Sequence, residues 1–151
     1  MKGTFRLAVL PTIAPYLLPR FFQQLSEKHT DLDIRMLEMK TAPTMAALQN
    51  GEIDAAIIAN QPTESNLQGD ILYYEQFFGY VAHNESIFKK DLIRTADIND
   101  ERLWLLDEGH CFRDQLMRFC QMEKVKVRQA AYRLGSLETF MRMVESGNGI
   151  T

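Results

Sequence analysis

The sequence of 151 residues is poor in the residue types that define fibrous, disulfide-rich or membrane proteins. It has two cysteines, five prolines and eight glycines, which excludes a collagen-like chain and a disulfide scaffold. No apolar run reaches the roughly 18 residues of a membrane span, and no cleavage site follows the apolar N-terminal segment. We therefore expect no membrane helix and no signal peptide, and the predicted location is cytoplasmic.

Positive charge is also scarce. Seventeen Lys and Arg residues face 20 Asp and Glu residues, which gives a formal net charge of -3. This balance predicts no nucleic-acid surface on this stretch of chain. The remaining composition, 46% hydrophobic and 25% charged, is typical of a globular domain.

Strand and helix patterns alternate through the first part of the sequence. The predicted elements are the strands Phe5–Leu10, Leu32–Met39 and Ile53–Ala59, and the helices Pro15–Lys28 and Thr41–Asn50. Pro19 predicts that the first helix starts late or kinks. Thr41 is the predicted cap of the second helix, and Gly51 follows its end. This order predicts an α/β fold with a parallel sheet and helices on its faces.

The second part of the sequence continues this pattern with shorter elements. The predicted strands are the aromatic-rich Ile71–Ala82 and the shorter Leu103–Leu106 and Val127–Leu134. The predicted helices are Phe112–Met122 and Ser136–Glu145, and Ser136 is the predicted cap of the second of them. The sequence ends at Gly147–Thr151 as another strand begins, so the fold is expected to be truncated at its C-terminus.

Ligand-binding residues are expected where the parallel strands end, because open α/β sheets bind ligands beyond their carboxyl ends. Thr12 follows the first predicted strand and Thr41 follows the second. Their hydroxyls, together with the free N–H groups at helix N-termini, could hold a small polar ligand. The alternative is that both threonines only cap helices.

The most informative segment is Asp107–Gln115. Gly109 allows a tight turn, Cys111 falls at the predicted N-cap of the next helix, and Asp114 is placed like the acidic partner of a capping box. A helix N-terminus, with His110 and Arg113 nearby, stabilises a thiolate. Accessible thiolates are the ones that peroxide oxidises to sulfenic acid. Cys120 lies on an apolar stripe, and taken alone it is a small buried hydrophobe.

The spacing of the two cysteines makes a helix and a disulfide mutually exclusive. Nine residues of helix separate the two Cα atoms by about 13.5 Å and point the side chains to opposite sides. A disulfide needs Cα atoms within about 7 Å. Closing this ring is worth roughly 3 kcal/mol, about what melting a packed helix costs, so the segment could act as a switch. No metal site is predicted, because no second ligand pair accompanies His110, and no phosphate loop is present.

Several segments resemble one known family. Gly109–Gln115, followed by Phe119 and Cys120, resembles the redox segment of the OxyR family, the LysR-type transcription regulators that sense hydrogen peroxide. Other similar stretches are Pro11–Ile13 and Pro15–Pro19, at the opening of the regulatory domain, and Gly51–Asp54, Ser136–Thr139 and Gly147–Thr151 further along. The resemblance covers the whole chain, but only the cysteine segment is specific to the peroxide sensors.

The resemblance implies two Rossmann-like lobes of the periplasmic-binding-protein type, 1–75 and 76–151, with a redox segment at 107–122. The first lobe would lack the later return of the chain, and the DNA-reading domain would precede this sequence. Cys111 would be the peroxidatic thiol and Cys120 the resolving thiol. The peroxide pocket would be formed by Thr12, Thr41, His110, Arg113 and Asp114. No metal or cofactor is implied.

The resemblance also implies a function and its partners. Hydrogen peroxide would oxidise the domain, and the resulting disulfide would switch transcription of antioxidant genes without enzymatic turnover. The full-length protein would form dimers or tetramers and contact promoter DNA and RNA polymerase, with no membrane partner. One alternative is a LysR-type effector domain that binds a small metabolite, with both cysteines as bystanders. A thiol peroxidase is another, although the sequence has no peroxidase motif.

Overall fold

The computed structural model describes residues 2–60, 66–98, 102–120 and 136–151. Its contacts divide the chain into two compact units, 1–73 and 74–151. The first unit contains β1 (Gly3–Val9), α1 (Ala14–Lys28), β2 (Leu32–Glu38), α2 (Thr41–Gln49) and β3 (Ala55–Ile57). The second contains a single 3-10 turn (Thr95–Asp97), α3 (Cys111–Phe119) and α4 (Leu137–Glu145) among the described residues.

The sheet of the first unit has the order β2-β1-β3, and both strand pairs are parallel. Leu7 of the central strand pairs with Met36 on one side and with Ala55 on the other. The predicted parallel sheet is thus confirmed. The third strand is shorter than the predicted Ile53–Ala59, because only Ala55–Ile57 runs alongside β1.

Alternate residues of β1 pack on opposite faces of the sheet, as the period of a strand requires. Leu7 and Val9 form one buried cluster with Ala14 at the start of α1. Ala8 packs on the other face with Ala47 of α2 and Ile53. Each face of the central strand is therefore covered by its own helix. Because β1 and β2 are parallel, the loops that follow them lie at the same end of the sheet.

The structure corrects the prediction for the first helix. α1 begins at Ala14 and contains Pro19 in its interior, so a late start is wrong. The backbone bond that Pro19 cannot donate would have reached the carbonyl of Pro15, in the first turn. Only one bond near the helix end is lost, and packing of Leu18 and Phe21 against the Leu7 cluster offsets it.

The second unit has less sheet than the sequence predicts. Ile150 forms an antiparallel bridge to Val81 and a parallel bridge to Leu103, but no longer strand is present in its described residues. The predicted strands Ile71–Ala82 and Leu103–Leu106 are therefore wrong in extent, since strand-forming residues need a paired neighbour to become a strand. The predicted strand Val127–Leu134 lies outside the described residues.

Two apolar clusters hold the second unit together. Trp104 and Leu106 pack with Phe140 and Val144 of α4, and the Trp104 indole donates a hydrogen bond to the Asn148 carbonyl at 2.7 Å. A second cluster joins Leu103, Leu105 and Ile150, with Leu116 and Met117 of α3 packed against it. α3 thus rests on an apolar base that includes a residue distant in sequence.

The last helix begins as predicted. The Ser136 hydroxyl oxygen accepts a hydrogen bond from the Thr139 backbone N–H at 3.1 Å, which is the N-cap arrangement. Across the described parts of the chain, every helix is too short or too polar to cross a membrane.

Candidate functional site

The start of α3 is set by a turn and by a backbone carbonyl. Gly109 has a φ of +87°, a conformation that glycine adopts without strain. His110 is the N-cap, and its carbonyl accepts hydrogen bonds from the N–H groups of Arg113 at 3.0 Å and Asp114 at 3.4 Å. Cys111 is therefore the first helical residue, and the predicted N-cap role for Cys111 is wrong.

No side chain caps this helix start, so the predicted capping box is also wrong. The physical reason is that a thiol is a weak hydrogen-bond acceptor, and the extended backbone of His110 already occupies the cap position. Asp114 instead contributes a negative charge to the first turn, where it interacts favourably with the helix dipole.

Cys111 and His110 form a buried pair at the head of α3. Each is 7% exposed, and Cys111 is a free thiol. Arg113 lies two residues further on, and its guanidinium donates a hydrogen bond to the Leu106 carbonyl at 2.9 Å. That bond ties the first turn of α3 to the segment before it and keeps a positive charge beside the turn that carries the thiol.

Cys120 has a different environment at the other end of α3. It is the C-cap, half-buried, and its N–H donates to the Leu116 carbonyl at 2.9 Å. Burial raises the pKa of the Cys120 thiol, which favours its neutral form. The predicted apolar stripe is partly confirmed, since Leu116 and Phe112 pack against the core but Phe119 is 59% exposed.

The two free cysteines stand at opposite ends of one formed helix. α3 covers Cys111–Phe119, and Cys120 follows it directly. At helical rise this places the two Cα atoms about 13.5 Å apart, roughly twice the reach of a disulfide. The predicted conflict between helix and disulfide therefore applies to the observed backbone.

Phe77 is a contact of this helix that sequence reasoning missed. Its ring centroid lies 5.5 Å from that of Phe112 and 5.9 Å from that of Phe119. The only signal in the sequence was the density of aromatic residues in the predicted strand Ile71–Ala82, which did not indicate what they contact.

Thr12 and Thr41, the other two candidate residues, belong to the first unit. Thr12 lies half-buried in the turn after β1. Thr41 is the first residue of α2, and Lys40 is the N-cap, so the predicted cap role of Thr41 is wrong. Its hydroxyl oxygen is buried and finds no hydrogen-bond partner among the described residues. Thr44, one turn later, donates to the Lys40 carbonyl at 2.9 Å.

Thr41 and Thr44 provide a matched test of the stability of the domain without a ligand. Thr41→Val should raise the free energy of unfolding by about 1 kcal/mol, because it removes a buried hydroxyl that makes no bond. Thr44→Val should lower it by about 1 kcal/mol, because Thr44 is fully buried and loses a bond. Urea unfolding of both variants measures the difference. A loss of stability in both would mean that the Thr41 hydroxyl has a protein partner in solution.

Metal chemistry has no support in the described part of the chain, where no group of three or more His, Cys, Asp or Glu side chains could hold an ion. The chemistry available at α3 is instead that of two thiols, a buried imidazole and a guanidinium.

Comparison with known proteins identifies the family of the chain. A family model described as the LysR substrate binding domain matches residues 1–151. The chain belongs to the LysR substrate-binding domain family. The predicted α/β fold of the LysR regulatory type is thereby confirmed.

Two relatives of this LysR domain are named as a hydrogen peroxide-inducible activator and as the regulator OxyR. It is 33% identical over 151 residues to a probable hydrogen peroxide-inducible genes activator of Mycobacterium leprae. It is 31% identical over 151 residues to the DNA-binding transcriptional dual regulator OxyR of Escherichia coli. In both cases the alignment covers 100% of this chain and 49% of the relative. The chain thus spans about half the length of the curated relatives it matches.

Solved structures of OxyR proteins are similar to this LysR domain. Porphyromonas gingivalis OxyR matches with a TM-score of 0.88 and 56% identity, over 99% of this chain and 68% of that one. A Corynebacterium glutamicum OxyR with a cysteine-to-serine substitution, solved with H2O2 bound, matches with a TM-score of 0.86 and 29% identity. That alignment covers 99% of this chain and 48% of the other.

Proposed function

We propose that this chain is the redox-sensing regulatory domain of a LysR-type transcription activator, and that hydrogen peroxide oxidises Cys111. The observation that carries the proposal is the pair of free thiols at the two ends of α3, one of them at a helix N-terminus beside His110 and Arg113. The names of the relatives, which describe peroxide-inducible activators, support the same function.

The proposed reaction has two steps. The Cys111 thiolate attacks one oxygen of hydrogen peroxide, the O–O bond breaks, and the leaving hydroxide takes a proton to become water, which leaves Cys111 as a sulfenic acid. The Cys120 sulfur then attacks the Cys111 sulfur, the S–O bond breaks, and a second water leaves as the disulfide forms. Two thiols lose two electrons in total, and one peroxide is reduced to two waters.

The second step requires α3 to unwind. A disulfide cannot span the ends of the helix, so the backbone between Cys111 and Cys120 must leave its helical conformation when the bond forms. Ring closure is worth roughly 3 kcal/mol in the loop-entropy model, which is comparable to the packing that a helix of this length loses. The dithiol and disulfide forms would then be two discrete arrangements of similar free energy, as a switch requires.

The peroxide pocket is proposed from the resemblance. His110, Arg113 and Asp114 lie in the first turn of α3 or directly before it, and Thr12 and Thr41 are further candidates for contact with peroxide. The structure of a Corynebacterium glutamicum OxyR with H2O2 bound supports the proposal, because it is a protein similar to this chain that binds peroxide. The buried, unpartnered hydroxyl of Thr41 is chemically suited to bond a small polar molecule.

The remaining parts of the proposal concern the whole protein. We infer that the two regulatory lobes comprise 1–75 and 76–151, and that the full-length protein is cytoplasmic, assembles as dimers or tetramers, and acts on promoter DNA and RNA polymerase. One peroxide switches one domain, so the domain senses and does not turn over substrate as an enzyme would.

Thiol counting by mass spectrometry after one equivalent of hydrogen peroxide tests the proposal. We expect the chain to lose two hydrogens and a peptide map to link Cys111 to Cys120. Reduction should restore the original mass. If both thiols remain free, the domain does not sense peroxide through this pair. A melting-temperature shift with a small metabolite would then favour the alternative of a metabolite-binding LysR effector domain.

A further inference from the structure

Phe77 contacts α3 at both of its ends. Its ring stacks on Phe119 at 5.9 Å with an interplanar angle of 12°, and it meets Phe112 at 5.5 Å with an angle of 38°. Phe112 and Phe119 are seven residues apart, which is about two helical turns, so both rings lie on the same face of α3. One side chain therefore bridges the helix from its first turn to its last.

Each of these two helix rings is the chain neighbour of a cysteine. Phe112 follows Cys111, and Phe119 precedes Cys120. To bond, the two Cα atoms must come from about 13.5 Å to within about 7 Å. A movement of that size cannot leave both neighbouring rings against Phe77. The Phe77 contacts therefore exist in the helical dithiol form and are broken, at one end at least, in the disulfide form.

Of the two contacts that Phe77 makes with α3, the one with Phe119, near Cys120, is the weaker. Phe112 is also packed against the cluster that contains Trp104 and Phe140. Phe119 is 59% exposed, and Phe77 is the one aromatic ring that contacts it in the described part of the chain. Unwinding is therefore expected to separate Phe119 from Phe77 first and carry Cys120 toward Cys111.

We propose that Phe77 is a positioning residue that sets the reduction potential of the cysteine pair. This inference rests on the proposed disulfide and adds no chemical step, since Cys120 still displaces water from the Cys111 sulfenic acid formed by hydrogen peroxide. Aromatic pairs stabilise the form in which they are made. At least one of the two Phe77 contacts exists only in the dithiol form, so loss of the ring destabilises the dithiol form more than the disulfide form. The disulfide then becomes easier to form and harder to reduce.

The test compares Phe77→Ala with Phe78→Ala in glutathione redox buffers. Phe78 is the next residue, is 83% exposed, and has no ring contact in the described part of the chain. For Phe77→Ala we expect about a tenfold shift of the thiol–disulfide equilibrium toward the disulfide, which makes the reduction potential about 30 mV more negative. Phe78→Ala should shift the thiol–disulfide equilibrium less than twofold, and Phe77→Tyr, which keeps an aromatic ring at position 77, should have the reduction potential of the parent chain.

A double-mutant cycle separates this role from general destabilisation. Phe119→Ala should shift the potential in the same direction, and Phe77→Ala combined with Phe119→Ala should shift it by less than the sum of the two. An unchanged potential in Phe77→Ala, with a disulfide still forming, would overturn the inference and leave the proposed function intact. If the parent chain forms no disulfide at all, the proposed function itself is wrong.

Discussion

Cys111→Ser is expected to lose the entire response to hydrogen peroxide while α3 remains folded. A serine hydroxyl is not oxidised by peroxide, and without a sulfenic acid at position 111 nothing activates that position for attack by Cys120. The substitution removes little volume, and serine is tolerated at the start of a helix. Thiol labelling should therefore find Cys120 free before and after peroxide, and circular dichroism should find the helix content unchanged.

Cys120→Ser is the matched control, because it keeps the thiol proposed to be peroxidatic and removes the one proposed to be resolving. Peroxide should oxidise Cys111 to a sulfenic acid that persists, which a cyclic diketone traps and mass spectrometry detects. If Cys111→Ser still rearranges with peroxide, another residue is the sensor. If Cys120→Ser gives no trapped sulfenic acid, Cys111 is not the site of attack.

Gly149→Ala is expected to destabilise the second unit by about 3–5 kcal/mol, enough to unfold a marginal domain. Gly149 has a φ of +80°, and an added Cβ would overlap the Arg102 carbonyl and lie 2.8 Å from the Trp104 indole nitrogen. The Arg102 carbonyl cannot easily move, because it accepts the Ile150 N–H at 2.9 Å. The backbone strain from a positive φ and the overlap of the added Cβ with the Arg102 carbonyl therefore both destabilise the variant.

Gly51→Ala is the control for the backbone conformation alone. Gly51 has a φ of +69°, but an added Cβ there would meet no atom within 4 Å, so the cost should be about 1–2 kcal/mol. Urea unfolding followed by circular dichroism measures both variants. The fluorescence of Trp104, the one tryptophan, additionally follows the second unit, which contains Gly149. Equal losses in the two variants would show that overlap with Arg102 contributes nothing.

The first unit could be predicted from its sequence because its signals are local. Strand and helix periods alternate without ambiguity from Phe5 to Asn50, and an alternating pattern of this kind has one common solution, the parallel sheet. The error at Pro19 arose from applying a local rule where tertiary packing decides.

The second unit was harder to predict because its contacts are distant in sequence. The aromatic-rich segment Ile71–Ala82 has strand composition, yet in the described part of the chain only its last three residues pair, with residues 149–151. Ile150, the partner of Val81, is 69 positions further on. The composition of a segment does not indicate which neighbour it will meet, and strand propensity depends on that neighbour.

The candidate site shows the same division. The positions of Gly109 and Cys111 at the start of α3 follow from turn and helix rules, and they were correct to within one residue. The other end was wrong, because α3 ends at Phe119 and Cys120 is its C-cap, whereas the predicted helix continued to Met122. The contact of Phe77 with both ends of α3 could not be predicted, because it joins a residue to a helix more than 30 positions away without any periodic pattern.

The double bridge made by Ile150 has a consequence for synthesis on the ribosome. Ile150 joins Val81 to Leu103, and the cluster it completes is the base on which Leu116 and Met117 of α3 rest. While a nascent chain is still shorter than this point, the thiol-bearing helix lacks part of its support. α3 is therefore expected to acquire its full packing only after Ile150 has emerged from the exit tunnel.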